Sequence, residues 1–263
     1  MIMRKNIATI CLLVTMLLMT VSCEPSKLEA IAESLDKECP IPIGSMGYVA
    51  GANCSGDDIV ITFIIDGAYT NVKNLKNNED LWRRNTIQSF AWKRTMSEGE
   101  IFSDFLKETA EAGGNLNLSL NVMGVTLNET ENSATLILSN EDLHSIVDKE
   151  PSPLELLKCQ IELSNLSLPV TVEEGIRNTE IAIEGDYVVN NLVLDEDLYD
   201  IEIFDNNVEL KEVLLEGLKL NANNPLMQLI LKLLKETGKG VAYRFIGNVS
   251  GKEVFIPIEI DEL

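Results

Sequence analysis

The sequence predicts an α+β protein made of two homologous modules, each a mostly antiparallel four-stranded sheet with helices on one face. Three observations predict it. First, the segment 39–81, shifted by 129 positions, lies on 168–210 without a gap, and eight positions are identical. They are Pro40/Pro169, Gly56/Gly185, Asp57/Asp186, Val60/Val189, Asp66/Asp195, Asn77/Asn206, Asn78/Asn207 and Leu81/Leu210. Second, apolar positions coincide in the same register, among them Ile41/Val170, Ile59/Val188, Phe63/Leu192 and Ile65/Leu194. Third, runs of period two alternate with runs of period 3.6 in the same order in both halves.

Each copy opens with a helix. Leu28, Ile31 and Leu35 form one stripe within 27–37; Leu154, Leu156, Leu157 and Ile161 form its counterpart after Pro151 and Pro153. Proline follows each (Pro40, Pro169) and turns the chain into strands. Ile59–Ile65 is β-branched and apolar, as a buried strand should be. Gly56-Asp57 and Gly185-Asp186 mark the hairpin turn into this strand and its mate. A helical middle follows. Ser97 with Glu100 is a capping-box pattern, with Ile101, Phe102, Phe105 and Leu106 as one face. Asn224-Pro225 starts the counterpart, with Leu229, Ile230, Leu233 and Leu234 on the same face, shifted by 128. Both carry Leu-Lys-Glu-Thr (106–109, 234–237) and stop near glycine. A last hairpin closes each module: 115–123 with 134–139, and 241–247 with 254–260. Copy two is about eight residues shorter here, most simply in the hairpin loop. The module reads α-β-β-α-α-β-β.

The first 22 residues read as a leader. Arg4 and Lys5 precede an apolar run from Ile7 to Met19, too short for a bilayer core that needs roughly 20 residues and suited to a signal peptide. Thr20-Val21-Ser22-Cys23 follows, small residues ending in cysteine. This resembles the lipobox of bacterial lipoproteins. The resemblance implies cleavage before Cys23, lipidation of Cys23, and a membrane partner held through the lipid anchor. The expected layout is a signal peptide 1–22, a lipidated tether 23–26, module 1 over 27–147, a linker 148–153 and module 2 over 154–263. With its two modules, the chain resembles tandem-module envelope lipoproteins of Gram-negative bacteria, a resemblance that implies a periplasmic or cell-surface place and no particular activity.

Lys and Arg number 21 against 42 Asp and Glu, a net charge of −21 at pH 7, and losing the leader deepens it. Such a surface repels phosphate backbones, so nucleic acid is not an expected partner. Cys39 and Cys54 are both present in copy one and both replaced by apolar residues, Leu168 and Ile183, in copy two. Joint presence and absence fits a Cys39–Cys54 disulfide in an exported protein; two buried thiols are the alternative. Cys159 reads as a small buried hydrophobe.

The residues offer little chemistry. His144 is the one histidine and reads as a linker residue; no cysteine pair has CxxC spacing, and no phosphate-binding glycine loop occurs. No catalytic residue and no cofactor are expected. Asp195, Asp197 and Asp200, with Glu196, form the densest acidic cluster, a weak candidate for a hard cation; a solvated connection is the plainer reading. Trp82-Arg83-Arg84 and Trp92-Lys93-Arg94 give copy one a basic-aromatic stripe that copy two lacks. It is either a specialised contact surface or helix core with snorkelling bases.

The leading expectation is therefore a lipid-anchored envelope protein with a non-enzymatic binding or structural-accessory role, and an envelope protein as possible partner. The alternatives are a hydrolase whose carboxylates Asp57, Asp66, Asp186, Asp195 and Asp197 gather between the modules, and a calcium-dependent adhesion module.

Overall fold

Two five-stranded sheets form the frame of the computed structural model, which describes residues 26–43, 47–67, 71–95, 100–123, 132–204, 208–220 and 225–263. The N-terminal residues 1–25, Cys23 among them, and the expected caps Ser97 and Asn224 lie outside the described residues. Among the described residues no helix is long and apolar enough to cross a membrane.

In module 1, helix α1 (Lys27–Lys37) starts on a capping box between Ser26 and Glu29. Strands β1 (Ile41–Pro42), β2 (Gly47–Ser55) and β3 (Asp58–Ile65) form a meander. Helices α2 (Val72–Asn77), α3 (Glu79–Arg94) and α4 (Glu100–Glu111) cross back, and β4 (Asn115–Val122), β5 (Ser133–Leu138) and α5 (Asn140–Asp148) complete it. The sheet order is β1-β2-β3-β4-β5, with β3 and β4 parallel. Module 2 repeats the course with α6 (Pro153–Asn165), β6 (Val170–Glu173), β7 (Ile176–Glu184), β8 (Tyr187–Leu194), a 3₁₀ turn (Ile201–Phe204), α7 (Val208–Leu220), α8 (Pro225–Thr237), β9 (Gly240–Gly247), β10 (Glu253–Ile258) and a 3₁₀ turn (Ile260–Glu262). Its order is β10-β9-β8-β7-β6, again with the inner pair β8–β9 parallel.

The α+β class and the two sheet modules stand, with two corrections. The sheets have five strands, because a short edge strand follows each early proline; and they are mixed, because the two inner strands run parallel. A helix not expected from the sequence follows the last strand of module 1: α5 carries His144, is capped by Ser139 and Asp142, and His144 Nδ1 lies 3.3 Å from Asp148 on an exposed face.

The two modules agree in detail. β2 and β7 are both bulged, between Val49 and Gly51 and between Asn178 and Glu180. Cys39–Pro40 and Leu168–Pro169 are both cis. Gly56 and Gly185 sit in the left-handed region that their turns require. A polar clamp is shared too. Asp36 Oδ1 accepts from the Ala52 amide at 3.0 Å beside the bulge in copy one; in copy two Asn165 Oδ1 accepts from the Ile181 amide at 2.8 Å, and Asn165 donates to the Ile181 carbonyl. A β-bulge leaves backbone groups unpaired by the neighbouring strand, and these side chains at the ends of α1 and α6 fill that need. The parallel ladders also open alike, with Asn115 donating to the Asp57 carbonyl and Gly240 to the Asp186 carbonyl, both at 2.9 Å.

The missing residues of copy two are not all in the hairpin. Leu106 and Leu234 of the Leu-Lys-Glu-Thr repeats are both buried. But α4 runs on to Glu111 before its positive-φ cap Gly113, whereas α8 stops at Thr237 before Gly238. Part of the difference is thus the end of a helix, and the strand register that follows is 125, not 128. The rest is the last connection, 123–132 in copy one and 248–252 in copy two.

The core of module 1 is one cluster joining Ile59, Ile61, Ile65, Leu116, Leu118, Leu136 and Leu138 of the sheet to residues of α1, α3, α4 and α5. Helices cover this face, while Ile137 on the opposite face is 46% exposed. At the far edge of the other sheet, every residue of β6 is exposed.

Asp36→Ala leaves the Ala52 amide without its partner and should destabilise the protein by about 1–3 kcal/mol. Asp36→Asn, which adopts copy two's residue, should cost well under half of that. Urea titration of both variants measures the difference.

Candidate functional site

The basic-aromatic stripe on α3 turns inward. Trp82 is buried within the module 1 core. Trp92, 4% exposed, belongs instead to the module 2 cluster of Leu156, Leu157, Val188, Leu233, Leu234 and Val241. Its indole N–H donates to Glu236 at 3.1 Å, and Lys232 Nζ lies 5.0 Å from the ring centroid. Alongside it, Arg84 pairs with Glu162 at 2.8 Å, which holds the guanidinium's pKa up, and Gln160 donates to Asn85 at 3.0 Å. Further along, Asn74 donates to the Leu166 carbonyl at 3.1 Å. Of the other bases of the stripe, Arg83 and Lys93 stay within module 1 and Arg94 reaches the linker. Arg83 binds Glu79 and Asp142, Lys93 lies 5.5 Å over Phe102, and Arg94 donates to the Lys149 carbonyl. The stripe thus supplies the joint between α3 and α6.

Cys39 and Cys54 are free thiols, so the expected bridge is not formed. Cys39 Sγ donates to the Leu35 carbonyl and Cys54 Sγ to the Gly56 carbonyl, each at 3.4 Å. The register explains the correction. Ile41 pairs with Val49, so Cys39 falls short of the level of Cys54, which pairs with Ile59 beside the turn. Both half-buried side chains pack on the same core, which accounts for their joint replacement by apolar residues in copy two. Burial pushes the Cys39 thiol's pKa up.

The five carboxylates do not converge. Asp57 and Asp66 flank the two ends of β3, and Asp186 and Asp195 flank β8, each an eight-residue strand about 26 Å long. The acidic cluster serves its own backbone. Asp195 Oδ1 accepts from the Asp197 amide at 3.1 Å, and Asp200 Oδ1 from the Glu202 amide at 2.9 Å. Among the described residues no group of three or more His, Cys, Asp or Glu is placed to hold a metal. Asp195 also lines a shallow cavity of about 240 Å³ with Thr171, Gly175, Arg177, Val193 and Asn248. Glu196 has a distinct task. Its Oε2 accepts from the amides of Val249 and Ser250, both at 2.6 Å, and fastens the β9–β10 turn. The Ser250 hydroxyl first, and then these amides, hold its carboxyl below the usual carboxylate range.

The most informative site lies on the helix-facing side of the second sheet. In copy one, Val49, Ile61 and Leu118 stand together on the middle strands and are buried apolar residues. The same three places in copy two hold Asn178, Asn190 and Tyr243, with Asn190 directly paired to Tyr243 as Ile61 is to Leu118. All three are only half-buried. Asn178 Nδ2 donates to Asn190 Oδ1 at 3.2 Å, while Asn178 Oδ1 is buried without a partner. Burial pushes the Tyr243 hydroxyl's pKa up. This polar trio divides the module 2 core. One cluster lies towards α6 and α8, the other towards Ile201, Phe245 and Ile256, and Tyr243 touches both. Above it, α7 has no fully buried side chain among those described. The result is a half-buried, polar and uncharged patch between two apolar clusters.

Trp92→Ala should cost about 3–5 kcal/mol and split unfolding into two transitions, because it removes the centre of the joint; differential scanning calorimetry shows whether one peak becomes two. Glu196 has a lowered folded pKa, so the hold it exerts on the Val249–Ser250 turn is present above pH ~4.5 and is lost as pH falls through the lowered value. Hydrogen exchange at Val249 and Ser250 should accelerate there, after correction for the intrinsic pH dependence, and Glu196→Gln should abolish that step.

No protein family matches the chain, and no curated protein matches it. Among solved structures it is similar to a protein of Pseudomonas aeruginosa described as secreted, at 14% identity over 42% of this chain and 91% of that one, with a TM-score of 0.34. It is similar also to the pilotin of the type 2 secretion system of Vibrio vulnificus, at 9% identity over 41% and 87% of the two chains, with a TM-score of 0.29. Likenesses at this level imply no shared activity.

Proposed function

We propose that the protein is a lipid-anchored, non-enzymatic binding protein of the bacterial cell envelope, built by doubling one α+β module and altering the second copy. The observation that carries the binding role is the replacement of Val49, Ile61 and Leu118 by Asn178, Asn190 and Tyr243. The frame around these places is otherwise kept, down to the bulge and its clamp. Burying polar groups with an open hydrogen-bonding atom costs stability. A change of that sign, gathered at one spot in one copy, is what selection for binding leaves behind. Common ancestry of the copies is supported by the 129-residue register together with the matched cis prolines and strand orders.

The anchor rests on the sequence. Cys23 follows a leader of the right charge and length, and the first helix is capped at Ser26, only three residues later. A tether that short keeps module 1 at the membrane surface. The net charge of −21 leaves adhesion to anionic lipid to the acyl chains alone.

The test is Cys23→Ala in the native host. The unaltered protein should partition into detergent and carry the mass of acyl chains, and the variant should move to the aqueous phase without them. An unaltered protein found water-soluble and unacylated refutes the anchor.

A further inference from the structure

We infer that the cavity on the open face of the second sheet binds a free α-amino acid, held by its own carboxylate and ammonium. The site lies on the opposite face from Asn178, Asn190 and Tyr243 and does not depend on the role given to them. Register builds it. Thr171 pairs with Arg177 and Arg177 with Val193, one rung across β6, β7 and β8. The next rung holds Gly175 and Asp195, whose amide donates to the Gly175 carbonyl at 2.8 Å. Asn248 extends that rung, its amide donating to the Leu194 carbonyl at 2.9 Å. Side chains two apart on a strand share a face, so Arg177, Val193 and Asp195 stand on one side and Ile176, Asn178, Leu192 and Leu194 on the other. With Thr171, Gly175 and Asn248 they line one cavity of about 240 Å³. That is below the ~300 Å³ at which drug-sized sites begin and suits a single small molecule.

The cavity holds two open groups of opposite charge. Arg177 has no ion pair or hydrogen bond among the described residues, in a chain with 42 acids to 21 bases. Asp195 stands one rung away, about 7 Å along the strands. Its Oδ1 accepts from the Asp197 amide at 3.1 Å and from Asn248 Nδ2 at 3.4 Å, and its Oδ2 has no partner among the described residues. A guanidinium meets a carboxylate through two parallel hydrogen bonds, and a carboxylate oxygen accepts from an ammonium. Thr171 adds a hydroxyl on the Arg177 rung. Singly charged ligands are disfavoured. A bare anion meets Asp195 and a net charge of −21, and a bare cation meets Arg177. A zwitterion has no net charge and satisfies both groups. Val193 lines the cavity, and a β-carbon on Gly175 would lie 2.9 Å from Leu198 and 3.0 Å from Tyr199, so the ligand's own side chain is small and apolar. Copy one is the internal control. Its matching rungs hold Pro42, Tyr48, Ile64 and Met123, whose amide donates to the Ile65 carbonyl as that of Asn248 does to Leu194. Asp66 alone is kept opposite Asp195. The cation, the hydroxyl and the amide occur together in copy two only.

The experiment titrates the full chain in detergent micelles with L-valine, while NMR reads the Arg177 Nε–H and Asn248 side-chain amide resonances. N-acetyl-valine, which lacks the ammonium, and valinamide, which lacks the carboxylate, are the controls. Valine should shift both resonances and bind at least about fivefold more tightly than either control. Arg177→Tyr, which installs copy one's residue at an exposed position, should leave the melting temperature unchanged and abolish the response at Asn248. Asp195→Asn keeps an acceptor for the Asp197 amide and removes the charge. It should weaken valine at least about fivefold and strengthen N-acetyl-valine. The inference is overturned if valine leaves both resonances unshifted, if N-acetyl-valine binds the unaltered protein as well as valine does, or if Arg177→Tyr binds valine unchanged. None of these outcomes touches the anchor, which the Cys23→Ala partition decides separately.

Discussion

The parallel pairing of the two inner strands governs the rest of the molecule. Antiparallel neighbours can be joined by a tight turn, but parallel ones need a long crossover. In each module the chain therefore leaves one end of the inner strand, runs back over one face as helices, and re-enters beside the strand's start. The direct contacts between the start of β4 and Asp57, and between the start of β9 and Asp186, show where the return is pinned. One face is covered as a consequence, and Ile59, Leu116, Leu136 and Leu138 reach 0% exposure beneath it. Whether that cover is tight depends on what lies outside the crossover. In copy one, α3 is backed by α6 of the following module and by α5, and it buries Trp82, Ala91 and Trp92. In copy two, α7 takes the same place in the chain with no comparable backing among the described residues, and Val213 and Leu220 stay 62% and 78% exposed. The same crossover seals a single apolar core in one module and leaves Asn178, Asn190 and Tyr243 half-buried beneath it in the other.

That difference has a thermodynamic sign. Exchanging three packed apolar side chains for two asparagines and a tyrosine gives up burial worth several kcal/mol in total. The module tolerates the loss because the frame is fixed elsewhere, by the ladders of β7 to β10 and by the anchoring of α6 against α3 and α8. The joint around Trp92 therefore does more than hold two bodies together. It lends the weaker copy a hydrophobic cluster that the weaker copy's own residues do not complete.

Much of the frame was legible in the sequence, and the failures have physical causes. The turns at Gly56 and Gly185, the opening helices and the last hairpins were visible because each depends on local patterning. Strand order was not, since a parallel pair joins residues some fifty apart and leaves no local mark. β1 escaped notice because two residues show no period, and α5 because copy two has only a 3₁₀ turn at the corresponding end. The paired loss of Cys39 and Cys54 reflected shared burial, which covaries as a bond would. The Trp82 and Trp92 stripe stood out as an asymmetry, but its direction, towards the second module, exists only in three dimensions. Two of the three polar replacements were open to reading: Asn178 opposite Val49 and Asn190 opposite Ile61 follow from the 129 register. A search for polar residues common to both copies passes over such a signal, because it consists of a polar residue where the other copy is apolar. Tyr243 was hidden further, by the change of register at the end of α8.

The bare outer rim of β6 carries a cost for the molecule in solution. Val170 and Val172 stand 47% and 58% exposed on a strand whose far side has no neighbour among the described residues, and such rims invite sheets to grow from one molecule to the next. Mutual repulsion between chains of charge −21 opposes that growth. Colloidal behaviour is thereby tied to ionic strength: as salt shortens the reach of that repulsion to a few ångströms, the first association to emerge would be rim against rim.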